Sequence, residues 1–337
     1  MPKPRSDNYN PTIDLLRLIS IIAVIAIHTT TKTIQSVGGD LRLVPGTLFL
    51  NQTVRFAVPL FFLISGFVLE ISSPPDINFW SYLKKRLGRI FIPYLVWSLI
   101  YYFFIYPGNT LSFPHILLIG GASYQLYFIP SLLIFYLIFP LLHRYYRAIS
   151  NAWVLILLGF IQLFFLYHDY YLQSYPIVYP LNIALLNFYV FILGIVASHY
   201  QSLLQKIFRD YKYMLLAITG VLIAYVSYEG YSRYYATGNY LAFYSQWRPS
   251  IFFYTLFLSS ALYYFFSRIS LPQSLIKVLS SLSFFVFFVH VIVLELVWKY
   301  FPPSLLFTPV LLVIITTISF IIAYLCHKLP FLSKLTG

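Results

Sequence analysis

The chain has 337 residues, of which 60% are apolar, 21% aromatic and only 9% charged, with a mean hydropathy of +0.79. A soluble domain carries about 25% charged residues, so this composition excludes an ordinary water-soluble globule, and its apolar content equally excludes a disordered chain. The excess of 22 Lys and Arg over 9 Asp and Glu, a net charge of +13, would suit a nucleic-acid binder, but short basic clusters here punctuate long apolar runs, the layout of a polytopic membrane protein with no nucleic-acid partner.

A membrane-spanning helix needs roughly 20 predominantly apolar residues. Ten windows meet that need, at about 12–34, 48–71, 88–106, 124–142, 151–168, 177–199, 212–228, 249–267, 276–298 and 305–327. The stretch Phe113–Gly121 is apolar but too short to cross, and reads as a re-entrant or interfacial piece. The loops between windows are short, so the expected fold class is all-α: a single membrane domain over 1–337, with no appended soluble domain. Basic residues precede the first apolar run as they would in a secretory signal. That run ends in Ile27-His28-Thr29-Thr30-Thr31-Lys32 without a small-residue cleavage site, so the segment is expected to be retained.

Basic residues set the orientation. With the N-terminus in the cytoplasm, 15 of the 22 Lys and Arg fall on inner segments, from Lys3 and Arg5 through the Lys84–Arg89 cluster to Lys328 and Lys334. Six, namely Lys32, Arg42, Arg55, Arg233, Arg248 and Lys299, fall on outer segments or helix ends, and Arg17 lies within the first helix. An even number of spans with both termini cytoplasmic, in the cell membrane, follows. The single cysteine, Cys326, excludes an intramolecular disulfide.

Ionisable groups inside spans are rare and costly, and usually mark function. In the first span, Asp14, Arg17 and His28 fall on one helix face at 100° per residue, and a rise of 1.5 Å per residue puts His28 about 16 Å beyond Arg17. Asp14 and Arg17 read either as a simple i,i+3 ion pair or as part of a site, whereas a histidine this deep in the bilayer favours function. The second span contains Arg55-Phe56-Ala57-Val58-Pro59-Leu60-Phe61-Phe62-Leu63-Ile64-Ser65-Gly66-Phe67. Pro59 breaks a backbone hydrogen bond there, and Ser65-Gly66 permits close helix approach. Arg55 either snorkels to the outer interface or faces a cavity and an anionic or sugar ligand.

The densest basic cluster, Lys84-Lys85-Arg86-Leu87-Gly88-Arg89, leads into Pro93 at the start of the third span. It is either a topology anchor or a docking site for a phosphorylated cytosolic ligand, since Arg86 and Arg89 share a helix face and guanidinium groups grip phosphate bidentately. Tyr127-Phe128-Ile129-Pro130 opens the fourth span. Ser283 through His290 lies in the ninth, where His290 is the second buried histidine and meets His28 if the two helices pack together. His115, His143, His168, His199 and His327 fall at span ends or in loops, where interfacial placement explains them. No His-Glu-x-x-His, paired-cysteine or glycine-rich phosphate motif occurs, so no metal site is expected.

Asp14-Leu15-Leu16-Arg17 with Arg17-x10-His28, Arg55 through Gly66, Arg86-x-x-Arg89 with Pro93, and Ser283-Phe284 through His290 together resemble the integral-membrane acyltransferase-3 family. The Arg55–Pro59 version is most similar to its stand-alone surface-glycan O-acetyltransferase branch. The resemblance implies transfer of an acyl group, most often acetyl, from cytosolic acyl-coenzyme A to a hydroxyl of a polysaccharide, lipid-linked sugar or related acceptor. It implies no permanently bound cofactor. Coenzyme A phosphates would dock at Arg86 and Arg89 with Lys85, and the pantetheine arm would run past Arg17 towards His28. His28 would act as general base or be transiently acylated, with Asp14 and Arg17 orienting the thioester; Arg55, Tyr127 and His290 would serve the acceptor side. One departure is Gln125-Leu126-Tyr127-Phe128 where many members have His-Leu-Trp-Phe, which leaves acceptor choice open. A transporter or flippase of a lipid-linked sugar is the competing reading, opposed by the lack of an internal repeat or matched pair of broken helices. Oligomeric state is not legible.

Overall fold

A computed structural model of the chain describes residues 10–44, 46–108, 110–172, 180–238, 245–269, 272–300 and 308–329. The orienting charges Lys3, Arg5 and Lys334 lie outside these, as do the starts of the sixth and tenth windows. Among the described residues the regular structure is entirely helical. Eight helical stretches are long and apolar enough to cross a membrane, and two shorter apolar helices occupy the fourth and sixth windows, which accounts for ten.

Helix α1 (Pro11–Ser36) starts cleanly: the Asn10 side chain accepts from the Thr12 amide, and Pro11 fills the first helical position, where a missing N–H costs nothing. The second window is broken into α2 (Thr47–Thr53) and α3 (Ala57–Ser72) by a turn at 54–56. Pro59 is therefore not an interior kink. It sits in the first turn of α3, where no helical partner for its nitrogen exists. The third span, α4 (Phe79–Ile100), begins nine residues earlier than its apolar window and runs on through a π-helical turn at Tyr101–Ile105. Asn78 caps it, so the Lys84–Arg89 cluster lies on the helix itself rather than in a loop.

The short apolar piece is a helix of its own, α5 (Phe113–Ile119). Gly120 ends it with φ +71°, and a Cβ there would lie 2.5 Å from the Tyr127 Cα. Only glycine lets the chain fold back here. Helix α6 (Phe128–Arg144) thus starts four residues later than its window, and residues 120–127 form a turn-rich segment inside the bundle. The short α7 (Tyr146–Ile149) leads to α8 (Ala152–Tyr167), which ends in a π-helical turn to Leu172. Then come α9 (Leu181–Leu185), α10 (Phe188–His199), an amphipathic cytoplasmic-side helix α11 (Gln201–Asp210), and α12 (Lys212–Thr237), which runs nine residues past its window. Helices α13 (Pro249–Phe266), α14 (Gln273–Tyr300) and α15 (Thr308–Lys328) complete the chain.

Helix α1 is the hub, packed against α2, α3, α13, α14 and α15. The tightest seam joins α3 to α10. A Cβ on Gly66 would lie 2.1 Å from the Phe191 carbonyl oxygen, and one on Gly194 would lie 2.0 Å from that of Leu63. Without a water-driven force between lipid-bathed helices, such glycine contacts supply the packing.

Candidate active site

The first cluster lies at the end of the bundle where α1 begins. Arg17 Nη1 donates to Asp14 Oδ1 at 3.0 Å and to Ser280 Oγ at 3.2 Å, and Ser280 Oγ donates to Asp14 at 2.8 Å. Asp14 and Arg17 are therefore more than a pair on one helix: Ser280 closes a three-group ring with α14 and aims the guanidinium. Arg17, Arg86 and Arg89 line one cavity of about 330 Å³, together with Ser65, Ser280, Ser283 and an apolar wall that includes Phe61, Phe128 and Phe287. That volume is in the range of small-ligand sites. Three cations at its mouth suit a polyanionic head, and an apolar wall suits a slender tail. Lys84 and Lys85 are exposed on α4 and do not line the cavity.

The second cluster is deeper. His28 on α1 and His290 on α14 lie with ring centroids 5.4 Å apart, so the two helices do bring the histidines together, with His28 half-buried. His290 is fully buried; its Nδ1 donates to the Val286 carbonyl at 3.1 Å, while its Nε2 has no hydrogen-bond partner. The helix backbone thus fixes the tautomer and leaves an imidazole lone pair beside His28. The two clusters share a wall: Phe287 lines the cavity and contacts the His290 ring at a centroid distance of 6.3 Å.

Arg55 does not snorkel. It is 3% exposed, and its Nε and Nη2 donate to Asn51 Oδ1 at 3.2 and 2.6 Å. Asn51 in turn donates to Thr30 and Thr31, at 2.8 and 3.1 Å, on the turn of α1 that follows His28. Arg55 lies within electrostatic range of His28. The same Asn51 oxygen accepts from Gln52, whose own carbonyl accepts from Arg248. Arg248 is fully buried and pairs with Glu229 at 3.2 Å. Sequence reasoning counted Arg248 as an outer-loop charge and passed over Glu229; both belong to a buried polar chain that begins at α12 and ends against the histidines. Replacing Asn51 by Leu removes the shared acceptor of Arg55 and Gln52 and is expected to cost about 2 kcal/mol, read as a lower midpoint of thermal unfolding in detergent.

Tyr127 is held elsewhere, its hydroxyl accepting from Gln246 and its ring edge-on to Trp247. The tyrosine beside His28 is Tyr124, with ring centroids 4.7 Å apart. Tyr124 lies in the turn-rich segment after Gly120 and is partly accessible. It immediately precedes the tetrapeptide that departs from the usual family pattern, the one signal that pointed near it. Beyond it, Glu295 pairs with Lys32 and accepts from the Tyr106 hydroxyl at 3.2 Å. Imidazole, phenol and carboxylate thus gather around this stretch of α1, groups of the kind that accept or donate a proton in acid–base chemistry.

A profile described as "Acyltransferase domain", that of the acyltransferase-3 family, matches residues 10–328. The chain belongs to this family. The acyltransferase-3 assignment makes the protein a multi-pass membrane acyltransferase. Among relatives, a protein of Staphylococcus epidermidis named "Probable poly-beta-1,6-N-acetyl-D-glucosamine export protein" is 26% identical over 312 residues, covering 86% of this chain and 82% of its own length. Proteins of the same name from Staphylococcus aureus strains MSSA476 and MRSA252 are 24% identical over 316 residues, covering 86% of this chain and 84% of theirs. No solved structure matches.

Proposed function

We propose that this acyltransferase moves an acyl group, acetyl first among them, from cytosolic acyl-coenzyme A to a hydroxyl of a cell-surface polysaccharide or lipid-linked sugar. One observation carries the reading: Phe287 lines the three-arginine cavity and also touches His290, the ring beside His28. Coenzyme A phosphates dock at Arg86 and Arg89, with Arg17 further in, and the thioester is delivered towards His28. His28 takes the proton of the acceptor hydroxyl as its oxygen attacks the thioester carbonyl. The carbon–sulfur bond breaks, and the coenzyme A thiolate leaves with a proton returned by the imidazolium. In the stepwise variant, His28 itself carries the acyl group between thiolate departure and attack by the acceptor. His290 and Arg55 hold the electrostatic surroundings of His28, and Tyr124 replaces Tyr127 as the acceptor-side tyrosine. Lys85, exposed on α4, adds long-range attraction for the phosphates.

The relatives' printed names favour a second reading, movement of a glycan across the membrane. The two readings separate in one preparation. Purified protein in vesicles with radiolabelled acetyl-coenzyme A should release coenzyme A and label an added hexosamine oligosaccharide. Movement of lipid-linked sugar without any turnover of the thioester would favour transport instead. Replacing Arg86 and Arg89 together by Gln removes two charge-assisted phosphate contacts and should weaken coenzyme A binding about a hundredfold, measured by titration calorimetry. Unchanged affinity would return that cluster to a topology anchor. The mass shift lost from surface glycans on deleting the gene would identify the acceptor.

A further inference from the structure

Glu70 sits on the last turn of α3, at the same end of the bundle as Arg86, with a side chain only 2% exposed. Two histidines from different helices close on it. His143 of α6 places Nδ1 2.9 Å from both carboxylate oxygens, and His199 of α10 places Nε2 2.7 Å from Oε1. The other nitrogen of His143, Nε2, faces the carbonyl oxygens of Pro74 and Pro75 at 3.1 and 3.3 Å. Carbonyls only accept, so His143 Nε2 donates to them, while Nδ1 faces the Glu70 carboxylate. Tyr146 of α7 stacks on His199 with ring centroids 4.0 Å apart. Sequence reasoning treated both histidines as interfacial; they are instead the two jaws of a clasp.

The clasp grips the turn that joins α3 to α4. Glu70 fixes the end of α3, and the Pro74 and Pro75 carbonyls fix the residues after it. Between these points Ser72 Oγ accepts from Arg86 Nη2 at 3.1 Å. Arg86 also lies over the Tyr82 ring, 5.8 Å from its centroid, on its own helix. The guanidinium at the cavity mouth is therefore located by a serine whose backbone is pinned on both sides. We infer that Glu70, His143 and His199 are positioning residues for the donor: they hold Ser72, and through it Arg86, where the donor's phosphates are gripped. This rests on the proposed donor site. A group acting only through Arg86 must affect a phosphate-bearing donor and spare one that lacks phosphate.

The test compares acetyl-coenzyme A with S-acetylpantetheine, which carries the same thioester arm without the nucleotide or its phosphates. Glu70→Ala should raise the KM for acetyl-coenzyme A about tenfold with little change in kcat, and leave kcat/KM for S-acetylpantetheine unaltered. Glu70→Gln keeps an acceptor for the jaws and should restore most of the lost affinity. If Glu70→Ala does not yield a monodisperse protein, Ser72→Ala, which cuts the link to Arg86 and one bond to the Leu69 carbonyl within the same helix turn, should raise the same KM about threefold to fivefold. An equal loss with both donors, or a fall in kcat at constant KM, would overturn the proposal. If the parent protein itself does not prefer acetyl-coenzyme A to S-acetylpantetheine, the donor-site reading fails, and the clasp proposal fails with it.

Discussion

Replacing His28 by Ala is expected to lower acyl transfer about a thousandfold while leaving coenzyme A affinity within about twofold of the parent protein. The separation follows from the geometry. The arginines proposed to grip the donor line a cavity that His28 does not line, and His28 belongs to the deeper cluster with His290 and Tyr124. Removing an imidazole there takes away the proton acceptor but none of the charges that hold phosphate. Single-turnover kinetics with radiolabelled acetyl-coenzyme A, paired with titration calorimetry, read the two quantities independently. Transfer retained in the variant would remove His28 from the chemistry. A covalent acyl group trapped on the parent protein at low pH, and absent from the variant, would select the stepwise route.

The second large effect concerns folding. Replacing Gly194 by Leu should prevent assembly of the bundle, costing more than about 3 kcal/mol. Even the first carbon of the new side chain would fall 2.0 Å from the Leu63 carbonyl oxygen and 2.9 Å from the Phe67 nitrogen, both backbone atoms of α3. Backbone cannot yield as a flexible side chain does, so α3 and α10 must part. Gly66 faces the reciprocal contact, 2.1 Å from the Phe191 carbonyl oxygen. Gly220, on the open face of α12, has nothing within 4 Å of its Cβ position. Gly220→Ala should therefore yield as much monodisperse protein in detergent as the parent, and Gly194→Leu close to none. Comparable yields from the two would show that the seam is softer than its geometry.

Much of this architecture was legible in the chain because lipid imposes one rule on every span. Apolar windows located the eight long and two shorter apolar helices among the described residues, and helical periodicity placed Asp14, Arg17 and His28 on one face. Windows report apolar content, however, and that content continues through broken backbone. The turn at 54–56 has no glycine or proline of its own, and residues 124–127 are apolar enough to extend the fourth window although they form no helix. The partners of Arg55 were illegible for another reason. A lone arginine near a span end looks the same whether it reaches for water or for Asn51 four residues before it. Arg248 was harder still, since Glu229 lies across a loop on the preceding helix and Gln52 comes from α2, far away in sequence. Tyr124 was hidden by numbers: among 32 tyrosines nothing local marks the one that will face His28. The Glu70 clasp depends on three separate helix ends meeting, which no single window contains.

The ring of Asp14, Arg17 and Ser280 also bears on how the protein is made. Helix α1 leaves the ribosome first, whereas Ser280 and His290 on α14 follow more than 250 residues later. During that interval α1 carries Asp14, Arg17 and His28 without their partners from α14. Asp14 and Arg17, 3.0 Å apart on one helix face, neutralise each other locally and lower the cost of that wait. Lys32 has no such neighbour and stays near the outer surface until Glu295 arrives. The proposed catalytic groups on α1 are consequently joined by their partners on α14 only when the last helices of the chain are in place.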